Sequence, residues 1–204
     1  MVLVYLRHGD DNDPEASHRH DAHITRKGGK EVKSVIKKII KKTKTLPSII
    51  RCSPFRRAVE TLEKVEAYIR KKHGDDEWDK IRIVYDRRLS RHFSTREQQS
   101  PDVSPKTKDL VKGKIPIFET WKKFQGRVEK HVGRMMKKDY YSHKTPMVWC
   151  LTHTLVMKHA CVVLKTPLVS WLSFLEWVIV KDPNREEEKR QESKRSERKN
   201  EKDK

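Results

Sequence analysis

The chain has 204 residues, enough for one α/β domain with a substantial core but short for two. Its formal net charge is +19, and residues 181–204 hold ten Lys and Arg against eight Asp and Glu, so the body is the basic part and favours anionic partners: phosphorylated substrates, acidic proteins, polyanions or lipid headgroups. Cys52, Cys150 and Cys161 are odd in number and far apart, which argues against a disulfide framework or a CxxC site and for a reducing intracellular compartment, the cytoplasm first and the nucleus second.

The chain opens on Met-Val-Leu-Val-Tyr-Leu-Arg, without the basic start and long apolar region of a signal peptide. Residues 2–6 are a short, continuously apolar run that predicts a strand buried on both faces, ending at Arg7-His8-Gly9. Residues 10–27 lack apolar rhythm and read as a long loop closed by Gly28-Gly29. Val32, Val35, Ile36, Ile39 and Ile40 then recur at helical spacing, with Lys33, Lys37, Lys38, Lys41 and Lys42 on the other face, predicting an amphipathic helix over 30–44. A charge run of this kind is usually a wet helix face, so nucleic acid is not the favoured partner.

A second strand is expected over 46–52, followed by Ser53-Pro54, where Ser suits an N-cap and Pro the first helical position. That helix would bury Ala58, Leu62, Val65 and Ile69 and end near Gly74. Residues 81–85 read as a third strand and 86–114 as a polar excursion over one end of the sheet. Phe118, Trp121, Phe124, Val128, Val132 and Met135 form the face of a third helix. Residues 147–151 make a strand ending at Thr152-His153, 155–164 a short apolar helix, and 171–180 the last strand. Residues 167–180 are too short and too interrupted by polar groups to span a membrane. The expected organisation is one domain over 1–180 and a charged, disordered tail over 181–204.

Alternating strands and helices predict an α/β three-layer sandwich, a mostly parallel central sheet flanked by helices, with ligands beyond the carboxyl ends of the strands. Arg7-His8-Gly9, residues 53–57 and Thr152-His153 each follow a predicted strand, so they should meet at one sheet edge. Two arginines and two histidines with few acids suit a phosphate dianion: guanidinium forks pair its oxygens, a helix beginning at Pro54 adds backbone donors, and a neutral imidazole can attack phosphorus.

Leu6-Arg7-His8-Gly9, the segment from Asp21 through Ile24-Thr25 to Gly28, Ser53-Pro54-Phe55-Arg56-Arg57-Ala58 with Thr61, and Val148 to His153 together resemble the histidine phosphatase superfamily, whose fold is phosphoglycerate-mutase-like. The match runs in order through most of residues 1–165. The resemblance implies that His8 accepts the phosphoryl group, that Arg7 and Arg57 bind it, and that His153 holds and stabilises it, with no metal or other cofactor. It places Asn12 and Thr154 among the substrate-binding residues, with Asp10 and Asp11 also close to the phosphate. The family's glutamate in a Leu-x-Glu context after the third strand, which protonates the leaving oxygen, is replaced here by Arg91. Glu97, the favoured substitute, and Asp10 are the two carboxyls that could act as the acid instead.

The expected activity is a phosphatase acting on phosphomonoesters, on phosphoprotein or a small metabolite, through phosphohistidine. The alternatives are a phosphate- or phosphoprotein-binding module that has lost turnover, which Arg91 favours, and a mutase, disfavoured because no Glu follows Arg7-His8-Gly9. Arg51, Arg56, Arg87, Arg88, Arg91 and Arg96 are expected either to funnel anions or to be a solvated basic surface. His18, His20 and His23 read as ordinary loop histidines rather than metal ligands.

Overall fold

In the computed structural model, residues 2–11, 23–92, 119–136, 147–166 and 176–181 are described. Five strands, β1 (Val2–Arg7), β2 (Ile49–Cys52), β3 (Arg82–Tyr85), β4 (Met147–Thr152) and β5 (Trp177–Lys181), form one sheet in the order β3-β2-β4-β1-β5. All neighbours are parallel except β5, which runs antiparallel to β1 at the edge. The register is what builds a site: Leu6 is level with Leu151, Arg7 with Thr152, and Cys52 with Leu151. The residues leaving β1, β2 and β4 therefore emerge side by side.

The sheet is covered on both faces. On one, α1 (Arg26–Thr43) and α2 (Arg56–His73) bury Val32, Ile36, Ile39, Ala58, Leu62, Val65 and Ile69 against Val4, Leu6, Ile50 and Trp149. On the other, α4 (Trp121–Met136) and α5 (Thr154–Val163) bury Phe124, Val128, Val132, Met157 and Ala160 against Leu3, Tyr5, Val148 and Cys150. Each such side chain stabilises the fold by roughly 1.5–3 kcal/mol relative to exposure. A one-turn helix, α3 (Asp75–Asp79), which the periodicity does not signal, follows Gly74, and a 3₁₀ turn spans Arg87–Leu89. The three-layer, mostly parallel sandwich is thus present.

Several boundaries differ from expectation for local reasons. Helix α1 begins at Arg26, not at 30, because the Thr25 hydroxyl accepts from the Gly28 amide and caps it. Gly28-Gly29 therefore lies in the first turn instead of ending a loop. Gly28 also lets the helix approach the loop after β1, since a Cβ there would stand 2.6 Å from the Asp10 amide nitrogen. Helix α2 starts at Arg56, with Phe55 as N-cap and no side-chain cap, so Ser53 is not its cap and Pro54 is not its first residue. Trp121, expected on the core face of α4, is half exposed, stacks on Phe124 and lies tilted against His92. Asn12, His18, His20, Arg96, Glu97, Phe118 and the tail from 182 onward lie outside the described residues. Among those described, no helix is long and apolar enough to cross a membrane.

Candidate active site

Arg7 ends β1 and His8 follows it, with its amide bonded to the Thr152 carbonyl at 3.1 Å. The next amide, Gly9, donates to the Thr61 hydroxyl at 2.9 Å, and that hydroxyl donates to the Arg57 carbonyl at 2.7 Å. One buried threonine on α2 thus ties the backbone behind His8 to the turn that carries Arg57. His8 Nδ1 lies 2.9 Å from the Gly9 carbonyl. A carbonyl can only accept, so Nδ1 carries the hydrogen and the lone pair resides on Nε2.

His153 follows β4, and its ring centroid lies 5.2 Å from that of His8 at a tilt of 57°. Phe55 packs edge-on against it at 5.4 Å. Its Nε2 is 2.9 Å from the Ser53 hydroxyl, the residue that leaves β2. Its Nδ1 is buried and has no hydrogen-bond partner among the described residues. Such an atom is a preformed place for a polar group of a ligand. His8, Arg57 and His153 are each only 4% exposed, so the site is a dry one.

Both imidazoles are neutral. Burial, then the charges of Arg57 and Arg7, push His8 down to about 3, against the opposing pull of Asp11 and the Gly9 bond. Burial likewise pushes His153 well below its ordinary value, reinforced by His8, Arg57, Arg91 and Arg127. His153 is therefore not protonated in the free protein. A bound phosphate dianion would favour its charged form.

The structure brings together His8, His153, Arg7, Arg57 and Asp10, with Thr154 half-buried at the first position of α5 beside His153. Asp10 is half-buried; its carbonyl accepts from the Thr25 amide, and its carboxylate bears on Arg7. Asp11 is ion-paired with Arg57. Ser53 is the functional residue that sequence reasoning misplaced: a Ser-Pro pair after a strand signals a cap, but here the hydroxyl turns to the histidine across the sheet.

The expected arginine funnel is mostly dispersed into structure. Arg51 is buried and donates to Asp86 at 2.9 Å, Arg88 donates to the other Asp86 oxygen at 2.9 Å, and Arg56 donates to His23 Nε2 at 3.2 Å. His23 Nδ1 is bonded to Glu60, so both ring nitrogens serve α2. Arg87 remains exposed and Arg91 is half-buried.

A sequence profile of the histidine phosphatase superfamily (branch 1) matches residues 3–175. No curated protein matches the sequence. Among solved structures, a phosphoglycerate mutase from Bacillus anthracis is similar with a TM-score of 0.58 and 17% identity, covering 89% of this chain and 88% of that one. A mycobacterial glucosyl-3-phosphoglycerate phosphatase in complex with VO3 gives 0.57 and 17%, covering 88% and 90%. The protein histidine phosphatase SixA complexed with tungstate gives 0.55 and 16%, covering 89% and 88%. At these identities the likeness concerns the fold.

Proposed function

Since this chain belongs to the histidine phosphatase superfamily, we propose that it is a phosphatase that hydrolyses phosphomonoesters through a phosphohistidine formed at His8. The observation that carries this reading is the facing pair of buried, neutral histidines, with rings 5.2 Å apart, under the charge of Arg57 and Arg7. In the first step His8 Nε2 attacks phosphorus, the N–P bond forms and the P–O bond to the leaving group breaks. Arg7 and Arg57 hold the equatorial oxygens, and His153, oriented by Ser53, binds the phosphoryl group through Nδ1. In the second step water attacks, the N–P bond breaks, and the electron pair returns to the imidazole while phosphate departs. Thr154, next to His153, would contact the substrate; Asn12 is a second contact on the family resemblance alone.

Burial makes this chemistry available at neutral pH. With its pKa pushed down to about 3, His8 keeps its lone pair across the physiological range. The Asp11 carboxylate on Arg57 stands where a phosphate oxygen would bind, so substrate must displace or share it.

The test is release of product from a chromogenic phosphomonoester by the purified protein, with His8→Ala as control. Wild-type turnover exceeding the variant's by about 10³-fold or more supports the reading. Equal rates would leave a phosphate-binding module, a second reading that Arg91 in the site favours.

A further inference from the structure

A cleft of about 420 Å³ opens between α1 and α2, lined by Arg26, Lys30 and Lys33 from α1 and by Glu60, Glu63 and Lys64 from α2. One of its walls is the segment His23-Ile24-Thr25. That segment also borders the phosphoryl site: the Thr25 amide donates to the Asp10 carbonyl at 2.7 Å, and Arg56, the neighbour of Arg57, donates to His23 Nε2. Arg7, His8, Arg57 and His153 do not line the cleft, so it is a separate recess that shares a border with the site.

The charges here run against the rules that stabilise a helix by itself. Arg26 and Lys27 stand in the first turn of α1, which has no acid, although the helix dipole favours carboxylates there. Arg26 and Lys30 are like charges four residues apart, and Lys30 and Lys33 three apart, spacings at which repulsion destabilises. Lys27 is paired with Glu31, but Arg26, Lys30, Lys33 and Lys64 have no ion pair or side-chain hydrogen bond among the described residues.

The acids of the lining do not answer them. Glu60 stands four residues before Lys64, the order in which a Glu–Lys pair is most favourable, yet its two oxygens accept from His23 Nδ1 and from the Ile24 amide. Glu63 is the second acid, so four cations face two carboxylates, one of them already committed. Lys64 reaches toward α1: its stem lies over Gly29, where a Cβ would stand 3.4 Å from Cε. A flexible lysine laid against a row of other cations, with no counterion, marks a place prepared for an anion. From Arg26 to Lys33 the row climbs about 10 Å at the helical rise per residue. A single phosphate would meet only part of it, whereas an extended peptide covers it with about three residues.

We propose that the cleft is a docking site for an acidic segment of a phosphoprotein substrate, whose carboxylates pair with Arg26, Lys30, Lys33 and Lys64 while its phosphorylated residue enters the site at His8. This builds on the phosphatase reading above and names its substrate class. The cleft takes part in no bond-making step; it raises affinity for one kind of substrate over another.

The experiment compares two synthetic phosphopeptides, alike except that one is flanked by Asp and Glu and the other by Asn and Gln, through kcat/KM of the full chain at low salt. Wild type should prefer the acidic peptide by about tenfold, as two or three exposed ion pairs would give, and the preference should fade as salt rises. Lys30→Gln, Lys33→Gln and Lys64→Gln combined should erase the preference and leave turnover of a chromogenic ester unchanged. Lys38→Gln, Lys41→Gln and Lys71→Gln combined removes as much charge from the same two helices outside the cleft, and should keep it. Equal loss in both triple variants would overturn the inference in favour of general attraction to a basic surface. No preference in the wild type would overturn it while sparing the phosphatase. So would a preference for a small bisphosphorylated ester over both peptides that the cleft variant alone loses, because the occupant would then be a metabolite. If no substrate turns over, the phosphatase reading falls, and fluorescence anisotropy of the labelled acidic peptide decides the cleft by itself. Binding that the cleft variant alone loses supports the docking site, and equal binding to all three proteins overturns it.

Discussion

His131 and His153 are both buried against β4 within reach of arginines, and they differ in how their surroundings answer them. His131 donates from Nδ1 to Asp86 and faces the Cys150 thiol with Nε2 at 3.8 Å. Burial keeps it neutral despite the carboxylate. Asp86 stays ionised: burial opposes its charge, but the His131 bond and Arg88 outweigh this and hold it well below the usual carboxylate range. Acid and base are matched there, and every ring nitrogen has a protein partner. At His153 the strongest neighbouring charges are positive, and one ring nitrogen has no partner among the described residues. Polar groups satisfied internally make scaffold, whereas buried groups surrounded by like charge make a site for a ligand.

The largest expected effect of breaking this contrast is on the scaffold side. Asp86→Ala removes the buried anion to which Arg51 and Arg88 both donate, so denaturant unfolding should show a loss of about 3–5 kcal/mol. A loss within experimental scatter would mean that the cluster is not the anchor described here.

On the site side, pH is the sharper probe. His8 has its pKa lowered from 6.5 to about 3, so its nucleophilic form persists as pH falls and is lost only near the lower value. Corrected for ionisation of the substrate, the acidic limb of kcat/KM should lie well below pH 5. A limb near 6.5 would show an ordinary, solvated histidine.

The smallest effect tests the internal anion. Asp11→Asn frees Arg57 from its carboxylate and should lower KM about fivefold with kcat nearly unchanged, since about 1 kcal/mol of competing attraction is removed. An increase in KM would instead make Asp11 part of the binding surface.

The sheet was legible in the sequence because its strands are short apolar runs and its helices keep an apolar stripe at a spacing of three and four residues. That His8, His153, Arg7 and Arg57 would come together was legible because Arg7-His8 and His153 stand at strand ends and Arg57 shortly after one, and parallel register brings strand ends together. The partners of Ser53 and Thr61, both within the recognised motif, were not, because a hydroxyl's partner lies across the sheet or on a loop far along the chain, and nothing local announces it. The same holds for Arg51 and Arg88. A run of arginines looks like a funnel until Asp86, within that run, is seen to accept from both. His131 was passed over although it stands three residues after Val128 and four before Met135, on the buried face of α4, because an imidazole is not counted among apolar residues.

The most direct test is to trap the intermediate. Rapid mixing with an aryl phosphate, an alkaline quench that preserves phosphohistidine, and peptide mapping should place one phosphoryl group on His8 in the wild type and none in His8→Ala. Phosphate on a different residue, or turnover without any phosphorylated histidine, would contradict the account.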